Sequence, residues 1–235
     1  MEETEDVLEQ TARLYLVIDN LVADKNFEAA IPLLSQVIEL QSWRTVPHYD
    51  RGLCRQILGQ FDLAIEDYTA ALWLHRNGLT REDADTFNNR GMAYREIKQF
   101  ENAFADYAEA IRLAPHNPKA FHNRGILLSE IGKGDEALES YSQSLQIDSS
   151  DAHVFYNRGS CFFDLGRLEE ALSDFSQSIH LDPNDAGAFF WRGRIHKKLG
   201  NVEQAKADWR EAERLDNLLD ETKHKSPTSI ADLNS

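Results

Sequence analysis

The sequence is poor in cysteine, proline and glycine, and it never stays apolar for long. Two cysteines in 235 residues cannot staple a scaffold. Six prolines and 12 glycines are too few for a turn-rich β protein or a disordered chain. No stretch approaches the roughly 18 apolar residues of a membrane-spanning helix, so no membrane insertion is expected. The opening residues, MEETEDVLEQ, lack the basic start and apolar middle of a signal peptide and the glycine that myristoylation needs. A soluble cytoplasmic protein is the expectation. Basic residues are scarce beside acidic ones, 25 Lys and Arg against 40 Asp and Glu, for a net charge of −15. Nucleic-acid affinity comes from neutralised phosphates, so nucleic acid is not an expected partner. The imbalance is uneven: −9 over residues 1–117, −7 over 118–185 and +1 over 186–235. Only the last stretch meets an acidic segment without an opposing field.

Signatures of chemistry are missing as well. The eight histidines show no helical spacing of three or four and have no cysteine beside them, so no metal site is expected. GILLSEIGKG has the wrong glycine spacing for a phosphate loop, no Ser or Thr after its lysine and no strand before it. No Ser/His/Asp arrangement stands out. The expectation is a protein without cofactor or catalytic site.

What is present is a repeat. Asn-Arg-Gly recurs at 89–91, 123–125 and 157–159, and Gly52, Gly91, Gly125, Gly159 and Gly193 follow one another at 39, 34, 34 and 34 residues. Counting back 34 from Gly52 reaches Ile18, where the pattern continues. Twelve residues after each register point stands an alanine: Ala30, Ala64, Ala103, Ala137, Ala171 and Ala205. Sixteen after stands a large apolar residue: Leu34, Tyr68, Tyr107, Tyr141, Phe175 and Trp209. The apolar spacing inside each unit is helical, and Gly59, Gly132, Gly166 and Gly200 mark a turn between two helices. Asp83, Asn117, Asp151 and Asp185 read as N-caps, Pro118 as a first helical residue, and Pro115 and Pro183 as helix ends.

This pattern, clearest in AFHNRGILLSEIGKGDEALESYSQSLQIDSS and VFYNRGSCFFDLGRLEEALSDFSQSIHLDPN, resembles the tetratricopeptide repeat, a 34-residue helix–turn–helix. The resemblance covers residues 11–219 as units 11–44, 45–78, 84–117, 118–151, 152–185 and 186–219. An insertion of five residues, 79–83, separates units two and three; Gly78 reads there as a helix stop and Thr80 as a cap. Residues 1–10 form an acidic extension and 220–235 a polar tail. The resemblance implies an all-α fold, a right-handed α-α superhelix of stacked antiparallel helix pairs. Unit four departs most, with Gly134 where others carry Phe27, Phe61, Phe100, Leu168 or Val202, and is expected to be locally weakest.

The residue before the register point is arginine in five units (Arg51, Arg90, Arg124, Arg158, Arg192) and Val17 in the first. Sixteen residues further stand Asp67, Asp106, Ser140, Asp174 and Asp208, but Leu33 in unit one. Where the first position is apolar so is the second, which predicts that the two face each other as ion pairs inside the hairpin. Arg124, opposite Ser140, needs another acceptor, such as Asp106 or Glu139. Cys54 and Cys161 share one place, two after the glycine, and read as reduced core thiols.

In the family, first helices line the concave face and ligands are usually extended peptides. The resemblance therefore implies a groove along Asn89, Asn123 and Asn157, whose carboxamides offer donors and acceptors to any backbone, or which brace neighbouring helices instead. Around them fall Tyr49, Met92, Ile126, Tyr156, Phe163, Phe190 and Trp191, with Lys119, His122 and His153. Arg194, Lys197 and Lys198 are candidates for an acidic side chain or a chain terminus. One subgroup grips a chaperone's terminal carboxylate through a Lys/Asn/Asn/Lys/Arg clamp. The first unit's Lys and Asn and the third unit's Arg are missing at every register, with Lys119 alone matching, so that activity is not expected. The leading expectation is a non-catalytic module or scaffold binding an extended peptide of a partner protein. The alternative is a self-associating assembly protein, a homo-oligomer using an uncovered C-terminal helix face with Trp209, Leu215, Leu218 and Leu219.

Overall fold

The computed structural model of the chain describes residues 5–76 and 78–224, with side chains described as far as residue 217. Among these residues there are twelve helices and no strand: α1 (Glu5–Ala23), α2 (Phe27–Leu40), α3 (Val46–Ile57), α4 (Phe61–Leu74), α5 (Asp83–Glu96), α6 (Phe100–Leu113), α7 (Pro118–Glu130), α8 (Gly134–Ile147), α9 (Ala152–Asp164), α10 (Leu168–Leu181), α11 (Ala186–Lys198) and α12 (Val202–His224). The fold is all-α. The chain divides into two compact units, residues 1–127 and 128–235, with the division inside α7. In the first unit each helix from α1 to α5 packs on the next, and α3 also touches α5. In the second, α8 to α11 do the same, and α9 also touches α11.

The paired helices run antiparallel. Arg51 meets Asp67 whereas Arg55, one turn further on, reaches back to the carbonyl of Leu63. Within each of the six pairs the backbone reverses through one left-handed residue. Glycine takes it at Gly59, Gly132, Gly166 and Gly200, with φ between +72° and +80°, and lysine takes it at Lys25 and Lys98, with φ of 59° and 60°. An L side chain is strained there, so the two lysines hold a conformation that no turn signal in the sequence announces.

At the crossing, the six register alanines are at most 1 % exposed. The register glycines make room for the aromatic ring sixteen residues on. A Cβ on Gly52 would lie 2.7 Å from Tyr68, one on Gly91 2.8 Å from Tyr107, and one on Gly193 2.6 Å from Trp209. The glycine is thus a socket for a ring, and the ring fills the space between the helices.

The expected ion pairs are present in four hairpins. Arg51–Asp67, Arg90–Asp106, Arg158–Asp174 and Arg192–Asp208 are two-pronged, with shortest N···O distances of 2.6 to 2.7 Å. The aspartates are 2–6 % exposed. The remaining guanidinium nitrogen does something further. Arg51 donates to Ser35 on α2 (2.8 Å), Arg90 to Thr69 on α4 (3.0 Å) and Arg158 to Ser142 on α8 (3.1 Å). Each of these arginines thereby ties its own hairpin to the preceding one, using the fixed fork of donors that only arginine offers. Ser140, in the aspartate position, donates to the carbonyl of Glu136 in its own helix.

Several expectations need correcting. Helix α1 begins at Glu5, so it absorbs much of the acidic stretch set apart as residues 1–10; Glu5 and Asp6 in its first turn complement the helix dipole. Helix α12 runs to His224, past residue 219. Asp83 is not an N-cap. It is the first residue of α5, and its carboxylate turns back to accept the N–H of Thr80 at 2.7 Å, while Thr80 Oγ1 accepts the N–H of Glu82 at 3.3 Å. The N-cap position is Glu82, whose side chain makes no capping bond, and Thr80 and Asp83 close the turn before the helix through these reciprocal bonds. Helix α4 stops at Leu74, short of Gly78. Asn117, Asp151 and Asp185 do cap, accepting from Lys119, His153 and Ala188. The gap left by Gly134 is used: a Cβ there would lie 3.0 Å from Leu165. Both cysteines are free and buried, and burial pushes their thiols up from the usual range.

Candidate functional site

The first helices α3, α5, α9 and α11 carry most of the candidate residues, and in each unit they converge. Helix α3 reaches α5 and α9 reaches α11, whereas no second helix touches the next second helix among the described residues. The first-helix side is therefore the tighter side of each unit.

In the first unit a line of hydrogen bonds crosses three first helices. Asn123 Nδ2 on α7 donates to Asn88 Oδ1 (2.9 Å), Asn88 Nδ2 donates to Asn89 Oδ1 (3.4 Å), and Asn89 Nδ2 donates to the Tyr49 hydroxyl on α3 (3.0 Å). A carboxamide has two N–H groups and two lone pairs. Within this line Asn89 uses one of each, which fixes the plane of the amide and leaves one donor and one acceptor. Bracing and ligand binding are therefore compatible at Asn89. Burial, then the Asp85 charge, pushes the Tyr49 hydroxyl up from its usual range. Beside it, Thr45, His75, Glu82, Asp83 and Asp85 line an acidic cavity of about 200 Å³.

Two members of this surface escaped the sequence reasoning. Asn88 is 4 % exposed; its counterparts are Tyr49, His122, Tyr156 and Phe190, so no second asparagine marked the position. Asp50 occupies the place that Asn89, Asn123 and Asn157 hold in later units, and its register was the available signal. Burial, reinforced by Asp19, pushes the Asp50 carboxyl up to about 6. Burial, with Asp50 as the next cause, lifts the Tyr15 hydroxyl to about 12.

The second unit has different chemistry at the same register. Tyr156 stands edge-on to Phe175, with centroids 5.4 Å apart, and Phe163 edge-on to Trp191 at 5.1 Å. Trp191 lies parallel to Phe175 at 6.4 Å and packs against the core cluster of Phe163, Ala171, Phe175 and Ile195. The Arg194 guanidinium sits over Trp191 at 4.3 Å and over Phe163 at 5.2 Å, and Lys198 Nζ sits 4.4 Å from the Phe163 centroid. Among the described residues neither cation is in ion-pair contact with a carboxylate. Asp208 is taken by Arg192, and Asp185 accepts the N–H of Ala188.

The remaining candidates are scattered. Lys119 and His153 are exposed in the first turns of α7 and α9, and His122 and Asn157 are half-buried on those helices. Met92 Sδ approaches Asn88, Ile126 is half-buried, Phe190 is 47 % exposed, and Lys197 reaches Trp209. The C-terminal face proposed for self-association loses a member, because Leu215 is 4 % exposed and belongs to the core. Trp209 is half-buried, its Nε1–H donating to the Phe190 carbonyl at 3.3 Å. The side chains of Leu218 and Leu219 lie outside the described residues. No group of three or more His, Cys, Asp and Glu side chains is placed to hold a metal ion, and no helix is long and apolar enough to cross a membrane, among the residues described.

Models of the tetratricopeptide repeat match residues 84–117, 152–185 and 186–217, and a TPR-repeat model matches residues 128–166. No curated protein matches the sequence. Among solved structures, pilF of Pseudomonas aeruginosa superposes with a TM-score of 0.75 at 20 % identity, covering 90 % of this chain and 94 % of that one. A MamA from Desulfovibrio magneticus RS-1 gives 0.67 at 15 % identity, with 78 % and 99 % covered. YrrB, a TPR protein described as having an unusual peptide-binding site, gives 0.60 at 22 % identity, with 77 % and 91 % covered. At these identities the likeness is one of fold.

Proposed function

The chain belongs to the tetratricopeptide-repeat family, and from that premise we propose that it is a non-catalytic interaction module that holds an extended segment of a partner protein along its first helices. The observation that carries this reading is the convergence of α3 with α5 and of α9 with α11, which gathers first-helix side chains on the tighter side of each unit. Those side chains suit a polypeptide ligand. Asn89 is oriented by Asn88 and Tyr49 and keeps a donor and an acceptor for a peptide group. Tyr156, Trp191 and Phe163 offer rigid aromatic area, the kind that anchors protein interfaces. The peptide-binding site named for YrrB, a protein of similar fold, supports the reading. The reading puts the protein in the cytoplasm, where buried thiols such as Cys54 and Cys161 stay reduced.

Random-peptide display on the purified chain tests it, with selected peptides re-titrated against a variant carrying Asn89→Ala, Asn123→Ala and Asn157→Ala. Peptides should be enriched, and their affinity should fall by about tenfold or more in the triple variant, equivalent to about 1.4 kcal/mol, measured at a temperature where circular dichroism shows the variant still folded. Failure to enrich any peptide, or equal binding by the triple variant, would contradict the proposal.

A further inference from the structure

Resting on the reading of the first helices as a peptide-holding surface, we infer that Phe163, Trp191, Arg194 and Lys198 form a subsite for an acidic stretch of the partner, with Asp or Glu at alternate positions. The first part of the argument is electrostatic. Arg194 and Lys198 are like charges one helical turn apart on α11, and both sit on the Phe163 ring. Such a pair destabilises a helix unless something offsets it. On α11 and α12, Arg192 has Asp208, Lys206 has Glu203 and Arg214 has Glu211, while Lys197 lies over Trp209 and Arg210 donates to the Lys206 carbonyl. Arg194 and Lys198 have aromatic faces instead, and an anion supplied from outside would relieve their mutual repulsion.

The second part is geometric. Arg194, its Cζ 4.3 Å from the Trp191 centroid, donates no hydrogen bond to a protein acceptor among the described residues, so contact with the ring leaves its fork of N–H donors unspent. Those donors remain for a two-pronged grip on a carboxylate, in a setting where Trp191 and Phe163 exclude water from one side and strengthen the bond. One turn of helix advances about 5.4 Å, and two residues of extended chain advance about 6.7 Å. Two side-chain carboxylates separated by a single residue therefore match the two cations, whereas one terminal carboxylate would leave the second cation unserved. The intervening residue faces the opposite side of the strand.

The third part is selectivity. The chain carries −15 overall, yet residues 186–235 carry +1. A long polyanion such as nucleic acid meets repulsion along most of its length, while a short acidic segment meets attraction at this subsite alone.

The test uses a fluorescein-labelled, end-blocked peptide Ala-Glu-Leu-Glu-Leu-Ala, its analogue with both Glu replaced by Gln, the full-length protein and the variant Arg194→Gln/Lys198→Gln, read by anisotropy. The Glu peptide should bind wild type about tenfold more tightly than the Gln peptide. That preference should disappear in the double variant and weaken as salt rises. Equal affinity of the two peptides for wild type overturns the acidic preference while leaving the broader peptide-holding reading intact. Binding of neither peptide also overturns it, and the display selection then decides the broader reading independently. Displacement of the Glu peptide by phosphatidylserine vesicles, with no loss on raising competing acidic peptide, would reassign the cations to a lipid surface.

Discussion

Helix pair two, α3 and α4, and helix pair five, α9 and α10, are built to one register and differ at nearly every position that faces outward. In pair two, Asp67 is shared by Arg51 and Arg55; in pair five, Asp174 serves Arg158 alone, because Phe162 replaces the second arginine. Gly52 holds Tyr68 so tightly that a Cβ would come within 2.7 Å of the ring, whereas at Gly159 the nearest atoms would stay 3.2 Å away. Asp50, acidic and strained by burial, stands where pair five has Asn157. The comparison separates what the scaffold needs (the alanine, the ring in its glycine socket, the buried pair) from positions at which chemistry varies freely.

The largest difference should appear on removing the shared aspartate. Asp67→Ala takes the carboxylate from two half-buried guanidinium groups and should cost about 3 kcal/mol. Asp174→Ala strands one and should cost roughly 1 kcal/mol less. Urea titration of both variants checks the order, and equal losses would mean that Arg55 adds nothing to the first pair. Next in size, Gly52→Ala should cost about 2–3 kcal/mol through overpacking against Tyr68, and Gly159→Ala roughly 1 kcal/mol, because its neighbours need give only slightly. At the turns the two pairs should be indistinguishable: Gly59 and Gly166 have φ of +72° and +76° with open space around them, so alanine at either should cost about 1 kcal/mol from backbone strain alone.

Much of this was legible in the sequence because the repeat presents each position several times. The arginine–aspartate pairing could be read from unit one, where Val17 and Leu33 replace both partners together. The hydrogen bonds from Arg51, Arg90 and Arg158 to Ser35, Thr69 and Ser142 were not read. They depend on how one hairpin stacks on the previous one, which periodicity inside a unit does not encode. Lys25 and Lys98 were missed as left-handed residues because glycine is the residue that signals such a turn. Asp83 was misassigned because an aspartate before an apolar run suits an N-cap, whereas the helix already includes Asp83 and its carboxylate turns back to the N–H of Thr80. At the candidate site the asparagine series was visible. That Asn89 and Asn123 would be joined through Asn88 was not, since Asn88 has no counterpart of its own kind.

A pH-dependent difference between the two pairs concerns Asp50. Its carboxyl titrates at about 6 in the folded protein, above the ordinary range near 3.9. Between those values the folded chain keeps a proton that the unfolded chain has released, so this group's contribution falls as pH rises from about 4 to 6. Asp50→Asn should therefore raise the melting midpoint at pH 8 and lose that advantage at the acid end, below the unfolded carboxylate's range. Asn157→Asp, the converse change in pair five, asks whether the penalty belongs to the position or to Asp19 nearby.

The division of labour between first and second helices is open to direct mapping. A display-selected peptide carrying a benzophenone should, on irradiation, form adducts on α3, α5, α9 or α11, located by mass spectrometry of the digested protein. Adducts confined to the second helices α4, α6 and α10 would contradict the assignment of partner holding to the first-helix side.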